Sequence, residues 1–292
     1  MTPVLLTLFN RRDTTLQLMS KVIGLRNRKL YIFWDGGRDL QERKLIKSIQ
    51  EEVQILLSEN GLTANWYTND RNLGCRQAII SALDWVFSHE NTAMLFEDDC
   101  HPVDACFSFI DYCLDKYSND PEIFGINTIN KTNHQSNSEY GFTRYFHGWG
   151  WATWRNKWAD FRTTLDAGKI SYSHIIDRSY TSNEKRYWKI TNFRMNKNKI
   201  DTWDFDLQAY VHQSDLKLVF PLTSLTSNVG FNLSEHRDFK SEKKVISEDN
   251  FIVQEIKLNN SELFSYEDSL NSFQYKIYPY AKSVLKNIFS KC

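Results

Sequence analysis

The sequence predicts an α/β protein with a mostly parallel central sheet flanked by helices on both faces. Two observations predict it. Short apolar runs alternate with amphipathic helical stretches through the first 126 residues, the pattern of strands joined by crossover helices. In addition, apolar runs stop abruptly at polar residues: Asn10 after Val4 to Phe9, Asp35 after Leu30 to Trp34, and Glu97-Asp98-Asp99 after Ala93 to Phe96. A strand buried on both faces reads as such a run, and open α/β sheets bind ligands beyond the carboxyl ends of their strands.

Val4 to Phe9 is the first strand. Asp13-Thr14-Thr15 opens a helix whose apolar residues are Leu16, Met19, Val22 and Ile23, Asp and Thr being natural N-caps. A strand leading directly into a helix N-terminus is an anion site, and Arg11 adds positive charge there; the plainer reading is that Arg11 and Arg12 decorate a surface turn. Leu30 to Trp34 is the second strand. It ends in Asp35-Gly36-Gly37, either a ligand approach or a simple turn. A polar helix over about 39–58 and a third strand over Ala64 to Tyr67 follow. After Asn72-Leu73-Gly74, the residues Leu73, Ile80, Leu83 and Phe87 form a core-facing helical stripe. The acid-tipped strand comes next, then a helix from Pro102 with Phe107, Ile110, Leu114 and Tyr117 on one face, then a strand over Ile123 to Ile126.

The second half is less regular. Residues 127–145 are polar and without period, as in a long surface loop of the kind that forms lids or binds substrate. His147-Gly148-Trp149-Gly150-Trp151-Ala152-Thr153-Trp154 reads as a helix N-terminus. Its glycines suggest backbone held close to a ligand, with Trp149 and Trp151 near a site and Trp154 and Trp158 in the core. A further helix starts at Asp201-Thr202-Trp203-Asp204-Phe205-Asp206 and runs to about Gln213; acids at its N-terminus also suit the helix dipole. Lys217 to Phe220 is a strand stopped by Pro221, and Ser227-Asn228-Val229-Gly230-Phe231 leads to a loop ending at His236. That histidine is either a metal ligand or simply solvated. A charged stretch from Arg237 precedes an amphipathic helix with Ile277, Tyr280, Val284 and Ile288 on one face and Lys282 and Lys286 on the other. It can dock on its own domain or lie on an anionic membrane.

Composition narrows the partners. The 36 basic and 36 acidic residues balance, and no basic tract appears, so nucleic acid is not an expected partner. The cysteines (Cys75, Cys100, Cys106, Cys113 and Cys292) are odd in number and contain no CxxC pair, which favours a reducing compartment over a disulfide framework or zinc site. The order of basic and apolar residues at the start is wrong for a secretory signal, and no run approaches the ~20 apolar residues of a membrane span. The expectation is a cytoplasmic protein, peripheral at the inner face of a membrane if the terminal basic helix binds there.

Three consecutive carboxylates at one strand end repel one another unless a positive charge sits among them. A divalent cation held by carboxylate oxygens is the usual solution; a solvated acidic turn capping the next helix is the plainer one.

Taken in order, Leu-Phe-Asn-Arg-Arg-Asp at 8–13, Trp-Asp-Gly-Gly at 34–37, Asn-Leu-Gly at 72–74, Glu-Asp-Asp at 97–99, Gly-Trp-Gly-Trp at 148–151, Trp-Asp at 203–204 and Ser-Asn-Val-Gly-Phe at 227–231 resemble the GT-A glycosyltransferases. The nearest group is that of N-acetylglucosaminyltransferase I and its bacterial relatives in polysaccharide synthesis. The resemblance implies a GT-A (Rossmann-like) domain over 1–236, with a nucleotide-binding half to about 126 and an acceptor-side half from 127, followed by a linker and a C-terminal helical extension over 237–292. It implies that Asn10 and Arg11 line the diphosphate pocket, that Asp35 bonds the nucleotide base, and that Glu97 and Asp98 meet sugar or ribose hydroxyls. Asp99 would ligate Mn2+ (or Mg2+), His236 would be a second ligand or a diphosphate contact, and the Trp149-Gly150-Trp151 segment would approach the donor sugar.

The eukaryotic enzyme has a second acid, its catalytic base, at the position held here by Phe205. The resemblance therefore implies Asp204, which keeps the first position, as the expected base, with Asp206, one residue beyond, as the alternative. The implied reaction is an inverting transfer from a nucleotide-sugar, a UDP-sugar such as UDP-N-acetylglucosamine, to a glycan or lipid-linked acceptor. A sugar-phosphate nucleotidyltransferase and a non-catalytic carbohydrate-binding protein are the competing readings. The first is disfavoured because Phe9-Asn10-Arg11 lacks the glycine-rich signature typical of such enzymes.

Overall fold

The structure, a computed structural model, describes residues 1–25, 27–130 and 140–230. In chain order the elements are β1 (Val4–Leu8), α1 (Arg12–Ile23), β2 (Leu30–Trp34), α2 (Leu40–Glu59), β3 (Asn65–Thr68), α3 (Gly74–His89), β4 (Thr92–Glu97), β5 (Cys100–Pro102), α4 (Asp104–Lys116) and β6 (Ile123–Asn127). They continue with β7 (Tyr140–Thr143), β8 (Trp151–Trp154), α5 (Arg155–Asp166), α6 (Ser173–Asp177), α7 (Ser182–Asn196), α8 (Asp204–Gln213), β9 (Lys217–Pro221) and β10 (Thr226–Asn228).

Eight strands form one sheet in the order β3-β2-β1-β4-β8-β6-β9-β7, while β10 pairs with β5 in a separate ribbon. The β3-β2-β1-β4 half is parallel, with Leu8 beside Trp34 and Thr7 beside Glu97. The carboxyl ends of β1, β2 and β4 therefore open on the same side, a Rossmann-like arrangement. Beyond β4 the sheet becomes mixed: β8 runs antiparallel to both β4 and β6, and β7 antiparallel to β9.

The period of two along each strand feeds two cores. Val4, Leu6 and Leu8 pack under α1, α2 and α4 together with Leu18, Ile49 and Phe107. Leu5 points the other way, into a core shared with α3, α5 and α8 through Leu83, Phe161 and Leu207. The expected covering of both faces is thus met, by helices whose apolar stripes the sequence displays.

Three elements differ from the sequence expectation. The tryptophan-rich stretch is a strand before it is a helix: Gly150, at φ +82°, turns the chain, and Trp151 to Trp154 form β8. Aromatic and β-branched residues fit a pleated surface better than a helix start. Trp154 and Trp158 are both buried, but on opposite faces of the sheet, because Trp154 belongs to β8 and Trp158 to α5. The stretch expected to be one long loop contains β7, whose Tyr140 hydroxyl bonds Lys116 and Tyr117. The helix expected from Pro102 begins at Asp104, because Cys100 to Pro102 pair with β10. Among the described residues no helix is long and apolar enough to cross a membrane. His236, the linker and the terminal amphipathic helix lie outside the described residues.

Candidate active site

The polar residues that stop β1, β2 and β4 meet at one edge of the sheet. Arg11 stands at the N-cap of α1 without capping it; its side chain reaches across to the end of β4 instead. One guanidinium nitrogen, Nη1, donates to Asp98 Oδ1 at 2.9 Å and to Asp99 Oδ2 at 2.8 Å. Asn10, next to it, donates through Nδ2 to Glu42 Oε1 at 3.0 Å.

Asp35 is buried at the end of β2. Its carboxylate accepts from the Gly36 and Leu73 amides, each at 2.9 Å, and from Asn72 Nδ2 at 2.8 Å. Asn72 also donates to the Gly36 carbonyl. The Asn-Leu-Gly motif therefore ties the loop after β3 to the loop after β2, through the acid expected to meet a nucleotide base. Burial raises the Asp35 pKa against the opposing pull of these amides.

The segment before β8 crosses the end of β4, since Trp151 is paired with Leu95. A Cβ on Gly148 would lie 3.4 Å from Trp203 and 3.9 Å from Glu97 Oε1, which places that glycine beside the acids. Gly150 is packed on the protein itself, not on an open face: a Cβ there would lie 2.7 Å from Thr128 Oγ1 and 2.9 Å from Phe96. Trp151, expected near the ligand, is fully buried and stacks on Trp203 at 5.4 Å, with Phe146 edge-on at 4.9 Å. Period-two alternation turns it into the core. Trp149 is half-buried and packs against the opposite core.

From the second half, α8 brings the remaining acids. Asp204, at its first turn, accepts from the Thr202 hydroxyl and from the Phe205 amide at 3.0 Å. Its negative charge is close enough to raise the pKa of Glu97. Asp206 turns away: it is buried, accepts from Tyr172 Oη at 2.8 Å and pairs with Arg76. Asp201 has no site role in the sequence reading, yet it caps α3, accepting from the Cys75 amide at 2.9 Å and the Arg76 amide at 3.3 Å. Arg76 in turn donates to the Thr202 carbonyl at 2.8 Å. One sequence signal points this way: α3 starts after Leu73, which has no capping side chain, so its amides need an acceptor from elsewhere.

The Ser-Asn-Val-Gly motif arrives beside the metal-ligand candidate. β10 pairs with β5, the Val229 amide donates to the Asp99 carbonyl at 2.9 Å, and a Cβ on Gly230 would lie 2.4 Å from Asp99 Oδ2.

The site carries surplus negative charge. Glu97 is pushed up to about 8 by burial and by Asp99, Asp98 and Asp204, with Arg11 opposing. Asp98 is pushed up to about 6 by burial, again against Arg11. Among the described residues no group of three or more His, Cys, Asp or Glu side chains is gathered as a metal cage. Asp98 and Asp99 nonetheless converge on a single cationic nitrogen, and carboxylate oxygens suit a hard divalent ion that takes its other ligands from phosphates and water. The residues present fit such an ion as partial ligands.

No protein-family model and no curated protein matches the chain. Solved structures are similar at low identity. The chain covers 75% of its length on S. aureus TarS 1–349, with 9% identity and a TM-score of 0.38, and spans 58% of that chain. A Thermus thermophilus structure named mannose-1-phosphate geranyltransferase aligns over 78% of this chain and 76% of its own, at 9% identity and a TM-score of 0.42. For a UDP-glucose pyrophosphorylase complexed with UDP-glucose the figures are 76% and 90%, at 10% identity and a TM-score of 0.39.

Proposed function

We propose that this chain is an inverting, divalent-metal-dependent glycosyltransferase of the GT-A type. It moves a sugar from a nucleoside diphosphate donor, a UDP-sugar such as UDP-N-acetylglucosamine, to a hydroxyl of a glycan or lipid-linked acceptor in bacterial polysaccharide synthesis. The observation that carries the reading is the meeting of acids from separate halves of the chain: Asp204 bears on Glu97, while Asp98 and Asp99 gather around Arg11. A single displacement at an anomeric carbon needs a base on one side and charge neutralisation of the leaving group on the other.

Asp204 takes the proton of the acceptor hydroxyl as its oxygen bonds to the anomeric carbon and the bond to the diphosphate oxygen breaks. Asp206, committed to Tyr172 and Arg76, holds the first turn of α8 in place. Arg11 and Asn10, at the N-terminus of α1, meet the diphosphate. Asp35 and the Asn72 loop frame the nucleotide side, Glu97 and Asp98 face the sugar or ribose hydroxyls, and Trp149 approaches the donor sugar. Asp99, with His236 from the segment after Gly230, would hold the metal. Bound there, a divalent ion would act as a Lewis acid on the departing diphosphate.

Titrating UDP into the protein by calorimetry, with Mn2+ and then with EDTA, tests the reading. Binding that needs both Mn2+ and Asp99, lost in Asp99→Ala, is the expected result. Absence of binding under both conditions, for UDP and for other nucleoside diphosphates, would leave the acids structural and favour a glycan-binding protein. Release of pyrophosphate from a nucleoside triphosphate and a sugar phosphate would replace sugar transfer with nucleotidyl transfer.

A further inference from the structure

Arg11 Nη1 bonds Asp99 Oδ2, an oxygen of the acid proposed to ligate the divalent ion, and Asp98 Oδ1 beside it. The carboxylates are only 8% and 14% exposed, whereas the Arg11 side chain is 50% exposed. The guanidinium thus reaches in from the solvent side on a stem with room to withdraw. We propose, building on the nucleotide-sugar reading, that Arg11 and the divalent cation compete for Asp99 and for the negative charge of Asp98 beside it, and that a nucleoside diphosphate ends the competition by taking the guanidinium.

The physical case is short. A guanidinium and a divalent ion on the same oxygens repel one another strongly at that spacing in a poorly solvated corner. Arg stays charged at every working pH, so the pair cannot open by deprotonation. Phosphate oxygens accept charge-assisted hydrogen bonds from a guanidinium as carboxylates do, so moving Arg11 from the acids to a diphosphate replaces the two bonds that it gives up. The cation alone must break two charge-assisted hydrogen bonds; with the diphosphate present those bonds are replaced. Metal and nucleotide binding are then coupled, each tightening the other by one common factor. Neighbouring Arg12 makes no such contact and pairs with Glu52 on the exposed face of α2.

The test measures free Mn2+ by electron paramagnetic resonance during titration of the wild-type chain, Arg11→Gln and Arg12→Gln, with and without UDP. Expected for the wild type is weak binding of Mn2+ alone, tightened at least roughly tenfold by UDP. Arg11→Gln should bind Mn2+ alone roughly tenfold more tightly and lose most of the tightening by UDP; Arg12→Gln should behave as wild type. Arg11→Lys, which keeps charge without the fork, should fall between. Unchanged or weaker affinity of Arg11→Gln for Mn2+ alone, including no binding by either chain, overturns the competition. Tighter Mn2+ binding by Arg11→Gln with no UDP effect on any chain would uphold the competition and sink the nucleotide reading instead.

Discussion

Gly74 and Asp201, from opposite halves of the chain, are in such close approach that a Cβ on the glycine would lie 2.5 Å from the Asp201 Oδ2. Gly74 also has φ +78°, a left-handed conformation that L-residues with a side chain adopt at a cost. The contact lets Asp201 cap α3 and fixes the segment that carries Asp204. Gly74→Ala should destabilise the fold by about 2 kcal/mol, and Asp201→Ala by about 1 kcal/mol through the lost cap. Urea denaturation of both variants checks this. Equal stability of Gly74→Ala and wild type would mean that the approach is not kept in solution.

Asp204 and Asp206 should separate by readout. Asp206→Asn removes the charge that Arg76 pairs with in a buried setting, so its melting temperature should fall by the equivalent of about 2 kcal/mol. Asp204→Asn should keep wild-type stability and UDP binding while losing at least about a hundredfold in sugar transfer. The reverse pattern would move the base to Asp206.

Folding raises the pKa of Glu97 from 4.5 to about 8 and that of Asp98 from 3.8 to about 6, burial being the leading cause for both. A group whose folded pKa is raised stabilises the fold below its unfolded value, and that contribution is lost as pH rises through the folded one. The metal-free chain should therefore lose stability from about pH 4 to pH 8. In Glu97→Gln this slope should flatten, with a gain on the order of 2–4 kcal/mol at pH 8. Thermal melts across that range in EDTA make the comparison; a wild-type profile without slope would contradict it.

Trp151 and Gly150 should behave as packing residues. Trp151→Ala empties a core position against Trp203, Phe146 and Phe124 and should cost about 3–5 kcal/mol. Gly150→Ala meets Thr128 and Phe96 at a positive φ and should cost about 2 kcal/mol. Trp149→Ala, half-buried, should cost less in stability, and a role at the donor sugar would show as a raised KM. Denaturation midpoints and donor kinetics on the three variants decide.

The parallel half of the sheet is legible in the sequence because buried strands and amphipathic helices alternate with clear periods through residue 126. The polar stops at Asn10, Asp35 and Glu97 also mark the edge where the candidate site lies. The tryptophan segment is not legible in this way. Trp, Gly and Thr in close succession fit either period, and only pairing with Leu95 and Asn127 makes Trp151 a strand residue facing the core.

Local pattern suffices to say which residues form buried strands, since burial of apolar side chains repeats with the backbone's own period. It also suffices to say that three adjacent acids need a counterion. Which cation meets them, which of Asp204 and Asp206 faces the site, and that Asp201 and Arg76 anchor α3 to α8 are contacts between distant parts of the chain. Such contacts depend on where the packed sheet carries each helix end, and that is settled by the joint burial of two cores, which no single stretch of sequence specifies.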